Sequence, residues 1–309
     1  VFALIVRRSF GAAATFLAAT LVVFLLTFAL PGDPARAIAG RRQVSDATLT
    51  AIRERYHLDE PLAVQYVEWL GGLLHGDLGQ SFVLRRPVSE VLLDALPVTL
   101  TLLGLAVAIE VVFALTIGAS AATRRGRPYD SGALVACTLA ISMPVFVLGS
   151  ILQDLFGVRL GVLPVAGVSE GLRSYLLPAL VLALPGLAVG IRLVRAESLV
   201  QLSSAHVRTA RAKGLSASAV TRRHVVRNAS VPFVAFIGLE IGALAAGSIV
   251  VERVFNLPGV GRALADAIRQ RDNAVIVGFT MAIIAVYLVV DLVSEIVTLS
   301  LDPRIDSAS

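Results

Sequence analysis

Phe10–Leu30 runs for 21 residues without one charged side chain. About 20 apolar residues in a helix cross a bilayer core, and in lipid the backbone must satisfy its own hydrogen bonds. Five further stretches follow the same rule. Pro97–Ala122 carries a single acid, Glu110, and Ser131–Gln153 carries no charge. Ser174–Ile191 is shorter, holds Pro178 and Pro185, and extends to Arg192 if that side chain snorkels. Asn228–Val251 is interrupted only by Glu240, and Asn273–Leu301 has Asp291 and Glu295 toward its end. Composition agrees. The 309 residues are 56% hydrophobic and 16% charged, with a mean hydropathy of +0.82, against about 25% charged in a soluble domain. The predicted class is all-α, a polytopic membrane protein with six transmembrane helices and both termini on one side.

Arg7 and Arg8 before the first stretch suggest a signal peptide, but the apolar run is too long for its core and lacks a small-x-small cleavage site. A retained first span is expected. The net charge of +5 reads as topology rather than nucleic-acid binding. With the termini inside, inner and outer segments hold 13 basic residues each, but the outer ones are nearly twice as long. The densest clusters, Arg124–Arg127 and Arg208–Arg227, fall inside, which favours cytoplasmic termini. The lone Cys137 excludes an intramolecular disulfide or a four-cysteine zinc site. His57, His75, His206 and His224 are too dispersed to argue a metal site, and no GxxxxGK[ST] loop is present. Gly259–Val260–Gly261 lacks the βαβ context of a dinucleotide loop and reads as a turn. No set of nucleophile, base and oxyanion donors appears, so the chain is expected to be non-catalytic and to hold no cofactor or metal.

Two connections are long. In 31–96, a helix is expected over Asp46–Tyr56, capped by Ser45 or Asp46, with Leu49, Ile52 and Tyr56 on one face. Another is expected over Pro61–Leu74, with Leu62, Val67, Leu70 and Leu74 on its apolar side, ended by Gly71, Gly72, Gly76 and Gly79. In 195–229, Leu199–Lys213 is expected to be helical, Gly214 to stop it, and Ser216 to cap a second helix toward Val226. That hairpin presents Arg222, Arg223, His224 and Arg227. These arginines suit either anionic lipid or a cytoplasmic partner.

Glu110 and Glu240 lie 14 and 13 residues into their spans. A mid-bilayer carboxylate costs about 2.5–3.5 kcal/mol on insertion scales, so both should face the protein interior or a water-filled path. Two readings stay open: groups lining a translocation path that meet a peptide amine or cation, or groups neutralised between helices. Asp291 and Glu295, one turn apart near the inner end, are less informative.

Leu30–Pro34, Leu58–Leu62, Gln65–Tyr66, Gly76–Ser81, Arg86–Val88, Leu96–Leu100 and Gly161–Pro164 form a series of blocks along the chain. Together they resemble the first transmembrane subunit of bacterial dipeptide, oligopeptide or nickel ABC importers, in the binding-protein-dependent permease superfamily. Phe255–Gly261, Asp266–Ile268, Arg271–Asp272 and Leu301–Arg304 resemble the loop before the last span and the tail. Within them, Pro258, Gly259, Gly261, Asp266 and Asp272 form the outer-loop motif. The most specific block is Arg208, Thr209, Ala210, Arg211, Ala212, Lys213, Gly214 and Leu215, followed by Ser216, His224, Arg227–Asn228 and Pro232. It resembles the loop by which such permeases engage their ATPases. The superfamily's usual acid is absent, Arg208–Thr209–Ala210 standing at its place with Gly214 at the glycine, a departure typical of the peptide branch.

The resemblance implies a type I ABC importer permease fold in the bacterial cytoplasmic membrane. The implied organisation is an N-terminal span (1–30), an extracytoplasmic cap (31–96), a five-helix core (97–301) and a cytoplasmic tail (302–309). It implies a heterodimer with a second permease, two cytoplasmic ATPases that bind ATP and Mg, and an extracytoplasmic substrate-binding protein. The loop around Ala210–Ser218 would pass ATPase closure into the fourth and fifth spans through Gly214. The expected cargo is a di- or oligopeptide; a nickel complex is the alternative within the family. An ion-coupled secondary transporter using Glu110 or Glu240, or a non-transporting scaffold, is the alternative outside it.

Overall fold

The computed structural model describes residues 2–28, 34–39, 44–55, 59–81 and 83–301. Leu30–Asp33, Tyr56–Leu58 and Asp302–Arg304 of the sequence motifs lie outside the described residues. The elements in chain order are α1 (Phe2–Phe28), α2 (Pro34–Ala39), α3 (Asp46–Arg55), α4 (Leu62–Leu74), β1 (Gln80–Ser81) and β2 (Arg86–Pro87). Then come α5 (Val88–Thr123), α6 (Pro128–Ser142), α7 (Val145–Leu152), α8 (Arg173–Ser203), α9 (Ala205–Ala212) and α10 (Ala217–Val220). The chain closes with α11 (Arg227–Val254), α12 (Val260–Gln270) and α13 (Asn273–Leu301). Among the described residues five helices are long and apolar enough to cross a membrane, or six if the bent pair α6–α7 is one span. This agrees with the all-helical, six-span reading. Residues 1–99 with 258–292 form one compact unit, and 100–257 with 293–309 another.

In the first unit, Ser45 accepts the Thr48 amide at 3.3 Å, so the expected cap of α3 forms. Leu49 and Ile52 bury against Ala35 and Ala39 of α2. The expected apolar side of α4 is not its buried side: Leu62, Val67 and Leu74 are exposed, whereas Gln65 is buried and donates to the Glu60 carbonyl at 2.7 Å. Tyr66 and Trp69 instead bring α4 onto Phe24 of α1, at ring separations of 5.3 and 5.8 Å. Periodicity marks an apolar stripe without saying what covers it. Gly71 and Gly72 stay inside α4; the turn falls at Gly76 and Gly79, both at φ +84°. β1 and β2 pair antiparallel, Gln80 opposite Pro87.

The second unit is organised on α8, whose apolar window is 67% buried where the other spans reach 22% at most. Small residues let its neighbours approach. A Cβ on Gly118 of α5 would lie 2.9 Å from the Ile191 carbonyl, and one on Gly190 would lie 2.8 Å from the Phe233 ring of α11. Pro178 and Pro185 sit inside α8 without ending it. The uncharged stretch Ser131–Gln153 is broken rather than straight, with α6 and α7 meeting at 110°. Pro144 has no backbone N–H to donate, and its ring holds Met143 in the extended conformation, φ −101° and ψ 133°. Pro97 has no such effect, since α5 begins nine residues before it at Val88.

Candidate functional site

The hairpin between the fourth and fifth apolar stretches is a series of short helices separated at Ser204 and at Lys213–Ser216. α8 continues past Arg195 to Ser203, and Ser204 turns the chain at ψ 156° before α9 begins. The helix expected over Leu199–Lys213 is therefore split at Ser204. α9 carries Arg208, Thr209, Ala210, Arg211 and Ala212, and Lys213 closes it. Gly214 follows at φ +82°, a conformation that strains any residue with a Cβ. Ser216 accepts the Ala219 amide at 3.3 Å, capping α10 as expected. From there α10, a π-helical stretch Thr221–Val226 and α11 follow without a break.

One side of this hairpin is a small core of Val207, Ala210, Val220 and Val225, with Leu202 and Leu215 packed on it. The other side is basic. Arg208, Arg211, Lys213, Arg222, Arg223 and Arg227 are exposed, and among the described residues none of them forms an ion pair. Thr209 bonds back to the Ala205 carbonyl at 3.0 Å, and Asn228 to that of His224 at 2.6 Å. His224 faces His206 across the two arms, with ring centroids 6.3 Å apart. Hydrophobic residues hold the arms together and leave a cationic surface.

The two mid-span acids come together. Glu110 of α5 and Glu240 of α11 converge on Gly186 of α8: a Cβ there would lie 2.5 Å from an oxygen of each. Glu110 is fully buried, and neither of its carboxyl oxygens has a hydrogen-bond partner. The sequence marks both acids by their depth; it gives no sign of Gly186, a small residue after a proline whose partners lie on other helices. Nor does it single out a further buried acid, Asp130. That residue is 3% exposed and takes a bidentate contact from Arg195 at 2.5 and 2.8 Å and the Gly126 amide at 2.9 Å.

The outer-loop motif builds local structure in the first unit. Gly259 and Gly261 are buried around the start of α12, Pro258 is exposed, and the Val260 amide donates to Thr99 at 2.8 Å. Asp266 pairs with Arg269 at 2.5 Å and with Arg262 at 3.9 Å. Asp272 is 2% exposed; it accepts from Ser81 of the ribbon and caps α13 through the Val275 amide. Two motifs far apart in the sequence, around Thr99 and around Val260, thus meet. Among the described residues no group of three or more metal-ligating side chains forms.

The sequence model of a family described as "Binding-protein-dependent transport system inner membrane component" matches residues 114–307. Its N-terminal companion, "Binding-prot-dependent transport system membrane comp, N-term", matches residues 1–103. The "Glutathione transport system permease protein GsiC" of Salmonella choleraesuis is 39% identical over 302 residues, 97% of this chain and 98% of that protein. The protein of the same name from Escherichia coli O6:H1 is 37% identical over 301 residues, with the same coverage. A solved structure described as "Crystal structure of an amino acid ABC transporter with histidines" gives a TM-score of 0.49 at 20% identity, over 70% of this chain and 94% of its own.

Proposed function

Since the chain belongs to the binding-protein-dependent transport system inner membrane components, we propose that it lines the membrane path of an ATP-driven importer for short peptides. It is a multi-pass, non-catalytic permease subunit of an ABC transporter. The observation that carries the substrate class is the 39% identity, end to end, with permeases whose name states glutathione transport. Glutathione is a tripeptide, which supports a cargo in the di- to oligopeptide range over a nickel complex.

The termini face the cytoplasm in this reading, two ATPases there hold ATP and Mg, and the hairpin 195–229 is the handle by which an ATPase subunit grips this chain. A second permease completes the path, and an extracytoplasmic binding protein delivers the cargo. The unpaired basic face of the hairpin supports a docking surface. Its mechanics support a lever: the second arm runs unbroken into α11, while the first is articulated at Ser204 and Gly214. A push on α10 therefore turns α11 directly, and α8 follows through the joint. Coupling of this kind needs two states of the membrane helices that nucleotide binding biases differently.

The test is uptake of labelled glutathione into proteoliposomes holding the full complex, with the binding protein outside and ATP inside. Uptake should require ATP and vanish when residues 208–218 are deleted, together with capture of the ATPases. Uptake by this chain alone on an ion gradient, or transport of a nickel complex with no peptide transport, would overturn the reading.

A further inference from the structure

Among the described residues the other buried acids, Asp130, Glu252 and Asp272, have partners within the chain. Asp130 has Arg195 and the Gly126 amide, and Asp272 has Ser81 and the start of α13. Glu110 breaks that pattern: it is 0% exposed and both its oxygens lack a hydrogen-bond partner. Among the described residues no basic side chain is ion-paired with it or with Glu240. One oxygen of each acid lies 2.5 Å from the same point above Gly186, so those oxygens stand no farther apart than twice that reach. A single ammonium nitrogen, with hydrogen bonds of about 2.8 Å to carboxylates, spans such a gap. Glycine at 186 is what lets both carboxyl groups come down onto the α8 backbone. Glu240 is only half-buried, which gives the pair an open side with Glu110 behind it.

We propose that Glu110 and Glu240 form a site in the membrane core for a primary ammonium group. Resting on the peptide-import reading above, the natural source of that group is the protonated N-terminus of the cargo. A primary ammonium brings three N–H donors to carboxyl oxygens that have none, and its one positive charge balances one carboxylate of the pair, the other acid keeping its proton. The pair would hold the leading end of a peptide midway across, where a blocked N-terminus would find no partner.

The test uses the purified full complex and n-butylammonium as the probe, read by thermal unfolding. At about ten times its Kd, butylammonium should raise the midpoint by about 2–4 °C. Tetramethylammonium, with the same charge and no N–H, and sodium should not. Glu110→Gln and Glu240→Gln, which keep shape and remove charge, should each abolish the rise. No rise, an undiminished rise in the double Gln variant, or an equal rise with sodium overturns the site. If Glu110→Gln does not assemble, Glu240→Gln carries the same test at the half-buried position. A tripeptide with a free amine should displace butylammonium and its N-acetylated form should not. Response to butylammonium without displacement by the free tripeptide overturns the cargo assignment and counts against peptide import, while the ammonium site stands.

Discussion

Two buried acid clusters in the same unit are built on opposite plans. At Asp130 the chain supplies the counter-charge itself, with Arg195 in bidentate contact and the Gly126 amide on the second oxygen. At Glu110 and Glu240 it supplies a second acid and a glycine, and leaves the Glu110 oxygens bare. The first arrangement locks the start of α6 onto α8. The second carries an insertion penalty for groups that hold nothing in the chain together. A buried charge with its own partner is architecture, whereas the pair without one is the premise of the ammonium site proposed above.

The contrast can be broken by substitution, and the largest effect belongs to the paired cluster. Arg195→Ala strands Asp130 in its pocket and should lower the thermal midpoint of the purified complex by roughly 5–10 °C. Adding Asp130→Leu to Arg195→Leu should recover most of the loss, because the stranded charge is gone. Gly186→Ala comes next: its methyl would sit 2.5 Å from both carboxyl groups, and overpacking of this kind costs about 1–3 kcal/mol in unfolding free energy. Gly214→Ala forces a Cβ into φ +82° and should cost about 1 kcal/mol, read as faster proteolysis of the hairpin. Ser216→Ala removes the cap of α10 for about 0.5–1 kcal/mol on the same readout. Glu110→Gln should be the smallest, within about 0.5 kcal/mol of the parent in thermal or denaturant unfolding, because no internal partner is lost. A Glu110→Gln loss as large as that of Arg195→Ala would erase the distinction between the clusters.

Much of the fold is legible in the amino-acid sequence. Runs of uncharged residues locate the spans, and α13 has the bounds Asn273–Leu301 that its apolar run marks out. Ser45, Gly214 and Ser216 act as the cap and stop signals they resemble, since capping is decided within a few residues of chain. What the sequence hides depends on distant neighbours. The 110° break at Pro144 escapes a reading of composition, because the stretch has the make-up of a straight span, although the proline is in plain view. The apolar stripe of α4 points inward by periodicity, yet Phe24 selects the face of Tyr66 and Trp69 instead. The cap, core and tail divisions at residues 31, 97 and 302 stand as a proposal drawn from the family resemblance.

That the chain is helical, that it crosses a membrane and that its basic hairpin turns at Gly214 all follow from the order of the amino acids, because hydropathy, charge and backbone conformation are properties of local stretches. Depth alone also marked Glu110 and Glu240 as costly. That the two acids share one space over Gly186 while Asp130 finds Arg195, residues 65 positions apart, emerges only in the folded chain. Which face of a helix meets which neighbour is set by packing among three spans, and no periodicity within a single span carries that information.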